Sequence, residues 1–508
     1  MKTTLTRVGT ILATMTLFVQ CQKDLEGTEV LSQQPQESLQ AVDSNTDYPR
    51  LENPYSVTNM KKALESLKSK TSKGPDNAYA AVNIKPTHLY VKFIPRNEAE
   101  LSAVKRDTLI ELYEHPLDVE DWVIQAYFTY ETASNRPPEL WAAVKVGHRL
   151  PRGCPSQILE RLYIPDEMKH NPRGKNTTVS HPFADELVEE SFRLTGNPLN
   201  KTTAKAAKWT PSGNIKAQNR PLQGIKVRAR RWLTTHVGYT DSYGNFSCDG
   251  DFRRPANYSL VYERKSVFDV RDGTFGQATV DGPKIEGAWV YNSTGGKPVN
   301  YGYVYKAAYD YFYKNPFGTY SPPSSPGLQN ALKISYFHKN GGSGFEAWRS
   351  WFTPLRIIIP PLSLFVSSSP VRIFKDDHSP SKIYSVTAHE LGHAAHWKLI
   401  IDAVDSNRWK DYHTAEEKLV ESWAVFIETI FTRRFIDPNY DRYPFNNDYS
   451  RGGKRTEIGL ELNEIVGLTA KQLENGLIQA SSFDEWEENL KNANPNINYE
   501  IETVFNRY

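Results

Sequence analysis

Apolar and polar side chains alternate along "THLYVKFIP" (Thr87–Pro95), with Leu89, Val91 and Phe93 set against Tyr90, Lys92 and Ile94. A period of two predicts a strand. "NEAELSAVKRD" follows and predicts a helix with Asn97 as its N-cap. "TLIELYEHPLD" (Thr108–Asp118) predicts a second strand. From Gly213 the chain reads strand, turn, strand through "GNIKAQNRPLQGIKVRARRW", and "ANYSLVYER" (Ala256–Arg264) alternates again. Between them lies "GYTDSYGNFSC", in which Asp241 closes a turn, Gly244 supplies positive φ and Phe246 returns to the core. Beyond Gly287 the pattern changes. "YVYKAAYDYFY" (Tyr303–Tyr313) predicts an aromatic helix, and "ALKISYFHK" and "PVRIFKDD" predict strands. Two long helices are predicted over about Tyr384–Ile400 and Glu416–Phe435, and the end, "LTAKQLENGLIQASSFDEWEENLKN", is predicted helical with Leu468 and Leu473 at core-like spacing. "LRIIIPPLSLFV" (Leu355–Val366) predicts a buried strand pair, because Arg356 and Pro360–Pro361 exclude a membrane span.

These elements predict a multidomain α+β chain. Residues 1–20 form a targeting segment and 21–85 a flexible polar tether carrying a solitary surface helix at Val57–Lys70. Residues 86–205 form a small α+β domain, 206–286 a β-sandwich and 287–508 a mixed α+β domain. A length of 508 residues accommodates about three domains. An apolar fraction of 39% with 12% aromatics excludes a disordered chain. Net charge is +2 with no single-sign tract, so no nucleic-acid partner is expected.

Lys2 and Arg7 precede an apolar run, Val8–Val19, that is too short to span a bilayer. "QCQKD" comes next. This resembles a bacterial lipoprotein processing site followed by the export signal of surface-displayed Bacteroidota lipoproteins, with Gln20 a departure from the usual small residue. The resemblance implies a lipid on Cys21, membrane association through that N-terminal anchor, and an outer-membrane location facing the cell exterior. A plain secretory signal with an incidental cysteine is the alternative. Outside the cytoplasm Cys154 and Cys248 are free to pair. The stretch over roughly residues 206–285 resembles the carboxypeptidase-regulatory-like module, an Ig/prealbumin-like β-sandwich that usually serves as an accessory domain.

"VTAHELGHAAHW" (Val386–Trp397) carries the chemistry. On a helix His389 and His393 stack one turn apart, so both imidazoles can reach one metal ion. Glu390 lies about 100° round the helix, within reach of a water at that ion. The bland alternative is a surface helix with polar histidines. His396 shares the face but sits about 4.5 Å further along, too far to share the ion easily. Position 396 is His and 399 is Leu, which excludes the extended metzincin pattern.

"ESWA" (Glu421–Ala424) resembles the segment of gluzincin metallopeptidases that supplies their third zinc ligand. With His-Glu-x-x-His, it makes residues 287–508 similar to a zincin-like peptidase domain. The resemblance implies Zn2+ held by His389, His393 and Glu421, Glu390 as the base, and a peptide or protein substrate. The gap from His393 is longer than usual, and Val425 stands where some relatives have Asp. Glu417 is the alternative ligand, and Glu428 is a candidate to orient a histidine. Glu417, Glu421 and Glu428 also form a stripe opposite Leu419, Trp423, Phe426, Ile427 and Ile430, and such stripes are usually solvated. His413, Tyr440 and Tyr443 are candidates to stabilise an oxyanion. Two other classes stay open: a metal-bound surface lipoprotein that binds or adheres without proteolysis, and a structural lipoprotein without metal.

Overall fold

The predicted strand at Thr87–Pro95 forms as β1 (His88–Phe93). It is the middle strand of an antiparallel sheet with β2 (Leu140–Lys145) and β3 (Ser156–Leu162). These coordinates are a computed structural model that describes residues 49–70, 79, 82–124, 136–165, 183–197, 207–324, 331–345, 370–403, 412, 414–441 and 456–508. The targeting segment with Cys21, the Leu355–Val366 run, His413 and Tyr443 lie outside the described residues.

Both faces of β1 are covered. Helix α1 is Val57–Lys70 and α2 is Glu98–Lys105, the latter capped by Asn97, whose side chain accepts from Glu100 N at 3.0 Å. Val91 and Phe93 pack with Leu101 and Val104 of α2. Tyr90 faces Met60, Ala63 and Leu64 of α1 and Leu187, Val188 and Phe192 of α3 (Ala184–Leu194). Helix α1 therefore stands where the sequence places it but is neither solitary nor part of a tether. Tyr163 N also donates to Tyr55 O at 2.8 Å, which ties residues 49–70 into this unit. Thr108–Asp118 is not a strand; it holds one isolated bridge, Tyr113 to Trp141. Its acids serve other elements instead: Glu111 pairs with Lys226 at 2.6 Å and Glu114 accepts from Gln277 N at 2.9 Å.

Strands β4 (Ser212–Ala217), β5 (Arg220–Pro221), β6 (Lys226–Arg231), β7 (Thr234–Tyr239), β8 (Asn245–Ser247) and β9 (Ala256–Val261) follow. β10 (Glu263–Arg264), β11 (Phe268–Asp272), β12 (Gly276–Gln277), β13 (Thr279–Ile285) and β14 (Trp289–Ser293) come next. Two four-stranded sheets result, β13-β9-β6-β7 and β14-β4-β5 with β8 on β4. Their side chains meet where Tyr258 packs 5.4 Å from Trp289 and 6.1 Å from Phe246, ring centre to ring centre. The Asp241 turn forms as the sequence requires: Asp241 Oδ1 accepts from Tyr243 N and Asn245 N, and Gly244 has φ +82°. The chain does not divide at residue 286, however. β14 lies beyond it, and β10–β12 leave the two sheets to join a third.

That third sheet runs β10-β11-β15-β17-β16, where β15 is Leu332–Phe337, β16 Gly344–Phe345 and β17 Val371–Phe374. β11, β15 and β17 are parallel, and β16 is an antiparallel edge. Helix α4 (Gly296–Tyr309) continues into a π-turn at Asp310–Lys314. The two long helices are α5 (Pro380–Ala403) and α6 (Glu417–Phe435). Four short helices end the chain: α7 (Ile458–Glu464), α8 (Ala470–Gly476), α9 (Phe483–Ala493) and α10 (Asn498–Phe505). One continuous core joins Tyr258 and Trp289 to Leu391 and Ile427 and on to Trp486 and Phe505. Among the described residues no helix is long and apolar enough to cross a membrane. Cys154 and Cys248 are unpaired thiols, contrary to the pairing allowed above. Each is buried in a different core cluster, and burial pushes the thiols up to about 11 and about 12.

Candidate metal centre

Helix α5 begins where Ser379 Oγ accepts from Lys382 N at 3.2 Å and Pro380 takes the first helical position, where no N–H is needed. From Ile383 to Trp397 every residue is buried. A polar side chain in such a helix must find a partner or carry a cost of about 1–3 kcal/mol. Helix α6 supplies partners because it lies close. A Cβ on Gly392 would stand 3.1 Å from Ile427 Cβ and 3.4 Å from Ala424 Cα. The absence of a side chain at 392 eases this close approach of the two helices.

At that contact His389 Nε2 and His393 Nε2 are 3.1 Å apart. Glu421 completes the group, with Oε2 3.4 Å from His389 Nε2 and Oε1 3.5 Å from His393 Nε2. Donors bound at 2.0–2.1 Å around one tetrahedral ion stand about 3.3 Å from each other. The two imidazole nitrogens stand close to that separation, a Glu421 oxygen lies beside each of them, and the donor set, two imidazole nitrogens and one carboxylate, suits a divalent transition metal. Among the described residues these three form a group of His, Cys, Asp or Glu atoms close enough to share an ion. Glu417 does not join it, so the alternative ligand is set aside: it is the first residue of α6, a full turn from Glu421.

The remote nitrogens are held too. His389 Nδ1 lies 3.1 Å from Glu428 Oε2, and His393 Nδ1 lies 3.1 Å from Tyr412 Oη. Glu428 thus lies against the ring nitrogen of His389 that faces away from His393 and Glu421. Tyr412 was not legible in the sequence; it sits in the segment between α5 and α6, where no periodic pattern marks it. Tyr440 does not face the ligand nitrogens. Its hydroxyl donates to Glu428 Oε1 at 2.6 Å, behind His389. His396 is buried, with neither ring nitrogen hydrogen-bonded, and its ring meets Tyr412 edge-on at 5.4 Å. It stays outside the three-residue group, as its position along the helix requires.

Charge follows from this packing. Burial works to lower the His389 pKa, but Glu421 and Glu428 on its two sides more than offset this and raise it to about 9. Burial works to raise Glu421, and His393 and His389 overcome it and hold the carboxylate far below its ordinary range. Glu390 is buried, and burial raises its pKa; the two histidines oppose the rise while Glu421 and Glu428 add to it. Burial, helped by His393, pulls His396 down to about 3, so it is neutral. The stripe of acids on α6 is therefore not solvated: Glu421 and Glu428 are buried among groups that use their charge.

No family model, no curated protein and no solved structure matches this chain. Its function must be argued from the site itself.

Proposed function

We propose that the chain is a zinc-dependent peptidase of gluzincin type. The observation that carries this reading is Glu421, on a separate helix, meeting His389 and His393 at ligand spacing. When bound, Zn2+ supplies Lewis-acid polarisation of a carbonyl and a water of lowered pKa. His389, His393 and Glu421 hold the ion. Glu428 and Tyr412 fix the two imidazoles so that each Nε2 faces it. Glu390 takes the proton of the attacking water and passes it to the leaving amine. Burial raises its pKa above the ordinary carboxylate value, the direction that favours a carboxylate able to accept a proton. Among the described residues three ligands are in place, which leaves a fourth position open, whereas a purely structural zinc site is closed by four. The two four-stranded sheets are read as a carboxypeptidase-regulatory-like accessory module, and Cys21 as a lipid anchor in the cell envelope.

The test is Glu390→Gln, which keeps size and polarity and cannot accept the proton. The variant should bind zinc as the wild type does and lose about 10²–10⁴ in the rate of peptide cleavage, measured on a mixed peptide library. Equal cleavage by the two proteins would remove Glu390 from this role. Zinc-loaded wild type that cleaves no peptide would instead favour a surface binding or adhesion protein.

A further inference from the structure

Behind His389 a second arrangement is built from three separate parts of the chain. Glu428 has no solvent contact, and its two oxygens are used differently. Oε2 faces His389 Nδ1 at 3.1 Å. Oε1 accepts from Tyr440 Oη at 2.6 Å and from Lys382 Nζ at 3.1 Å. Lys382 Nζ also donates to Tyr440 Oη at 3.3 Å, and Ser385 Oγ lies 3.1 Å from the same hydroxyl. Lys382 and Ser385 belong to the first turns of α5, Glu428 to α6, and Tyr440 to the segment after α6. That segment is held in place by Arg433 Nε, which donates to Tyr440 O at 2.9 Å.

From this geometry, and resting on the metal-site reading above, we infer that Lys382 and Tyr440 are positioning residues that act on the metal through Glu428. A carboxylate bound by two donors on one oxygen cannot turn, so the other oxygen keeps one direction. His389 then donates its Nδ1 proton along that direction and has its lone pair on Nε2, toward His393 and Glu421. Lys382 also gives the buried carboxylate a countercharge. Neither Lys382 nor Tyr440 belongs to a recognisable motif: Lys382 precedes the first histidine by seven residues, and Tyr440 follows Glu428 by twelve.

The test uses the purified full chain, with Zn2+ affinity measured by chelator competition and the site followed through the visible absorption of bound Co2+. Tyr440→Phe removes one oxygen and leaves the ring. Lys382→Met removes the cation and leaves the stem. Each should raise the Zn2+ dissociation constant on the order of 10–100-fold and alter the Co2+ bands. Lys398→Met, a control on the exposed end of the same helix paired with Asp402, should change neither. If Tyr440→Phe and Lys382→Met bind Zn2+ as tightly as the wild type, with the same Co2+ spectrum, the clamp is overturned while the metal site stands, whatever happens to thermal stability. If the wild type takes up neither ion, the metal-site reading falls and the clamp with it. Should Lys382→Met fail to fold, Tyr440→Phe decides alone.

Discussion

Gly392→Ala tests whether the approach of α5 to α6 sets the ligand geometry. The added Cβ would lie 3.1 Å from Ile427 Cβ and 3.2 Å from Ile427 Cγ2. Carbon atoms rest comfortably at about 3.5–4.0 Å, so Ile427, and with it α6, must give by a few tenths of an ångström at this point. Glu421 rides on α6 one turn from Ala424. The same movement would carry its oxygens, now 3.4 and 3.5 Å from the two Nε2 atoms, a few tenths of an ångström further away, beyond the ~3.3 Å a shared tetrahedral ion requires. Overpacking of this kind costs about 1–3 kcal/mol, against which alanine gains about 1 kcal/mol over glycine in a helix interior. In the metal-free protein the helices can relax apart, which keeps the overpacking cost at its low end of about 1 kcal/mol, close to the alanine gain, so the melting temperature should move little. With metal bound they must close again, and about 1–2 kcal/mol of binding is lost. That corresponds to an increase of about 5–30-fold in the zinc dissociation constant. The assay is chelator competition beside thermal unfolding of the metal-free protein. Unchanged zinc affinity in Gly392→Ala would refute the claim that this contact sets the site.

Two further predictions concern conditions and location. In the metal-free protein His389 has its pKa raised from 6.5 to about 9, so its contribution is complete below about pH 6.5 and lost as pH rises through about 9. The contribution of Glu421, whose pKa is lowered, is present above about pH 4.5 and lost as pH falls. Urea unfolding should therefore find the metal-free protein losing up to about 3 kcal/mol between pH 6.5 and 9. Zinc should remove that loss, because it binds the deprotonated imidazole; a metal-free protein that gains stability over this range would contradict the pairing. Labelled palmitate should enter the wild type and not Cys21→Ala, and a wild type that takes up no label would exclude the lipid anchor.

What the sequence made legible is what helical spacing encodes. His389 and His393 share a face because they are four apart, and that relation survives any tertiary context. Glu421 could be found because "ESWA" sits on its own predicted helix; Glu428 follows two turns later on the same face. The burial of both was not legible. A stripe of acids opposite an apolar face reads as solvated, and only the packing of α5 against that stripe reverses the reading. Tyr412, Lys382 and Tyr440 were out of reach as orienting groups for the same reason, since each contributes one side chain from an element brought in by tertiary structure. In the N-terminal unit, α1 was located to the residue but read as solitary, because Met60, Ala63 and Leu64 are few apolar positions in a polar stretch. Thr108–Asp118 alternates like a strand, yet its glutamates pair with Lys226 and Gln277 on other elements. The interleaving of β10–β12 with β15 and β17 rests on parallel pairing between distant segments, which local pattern does not carry.

The most direct test of the account is the metal content of the purified full chain, measured with and without Glu421. The wild type should hold one zinc ion per chain. Glu421→Ala should lose it, and Glu417→Ala, one turn away on the same helix, should keep it. A wild-type chain that holds no metal after exposure to zinc, or a Glu421→Ala chain that still holds a full equivalent, would contradict the metal centre described here.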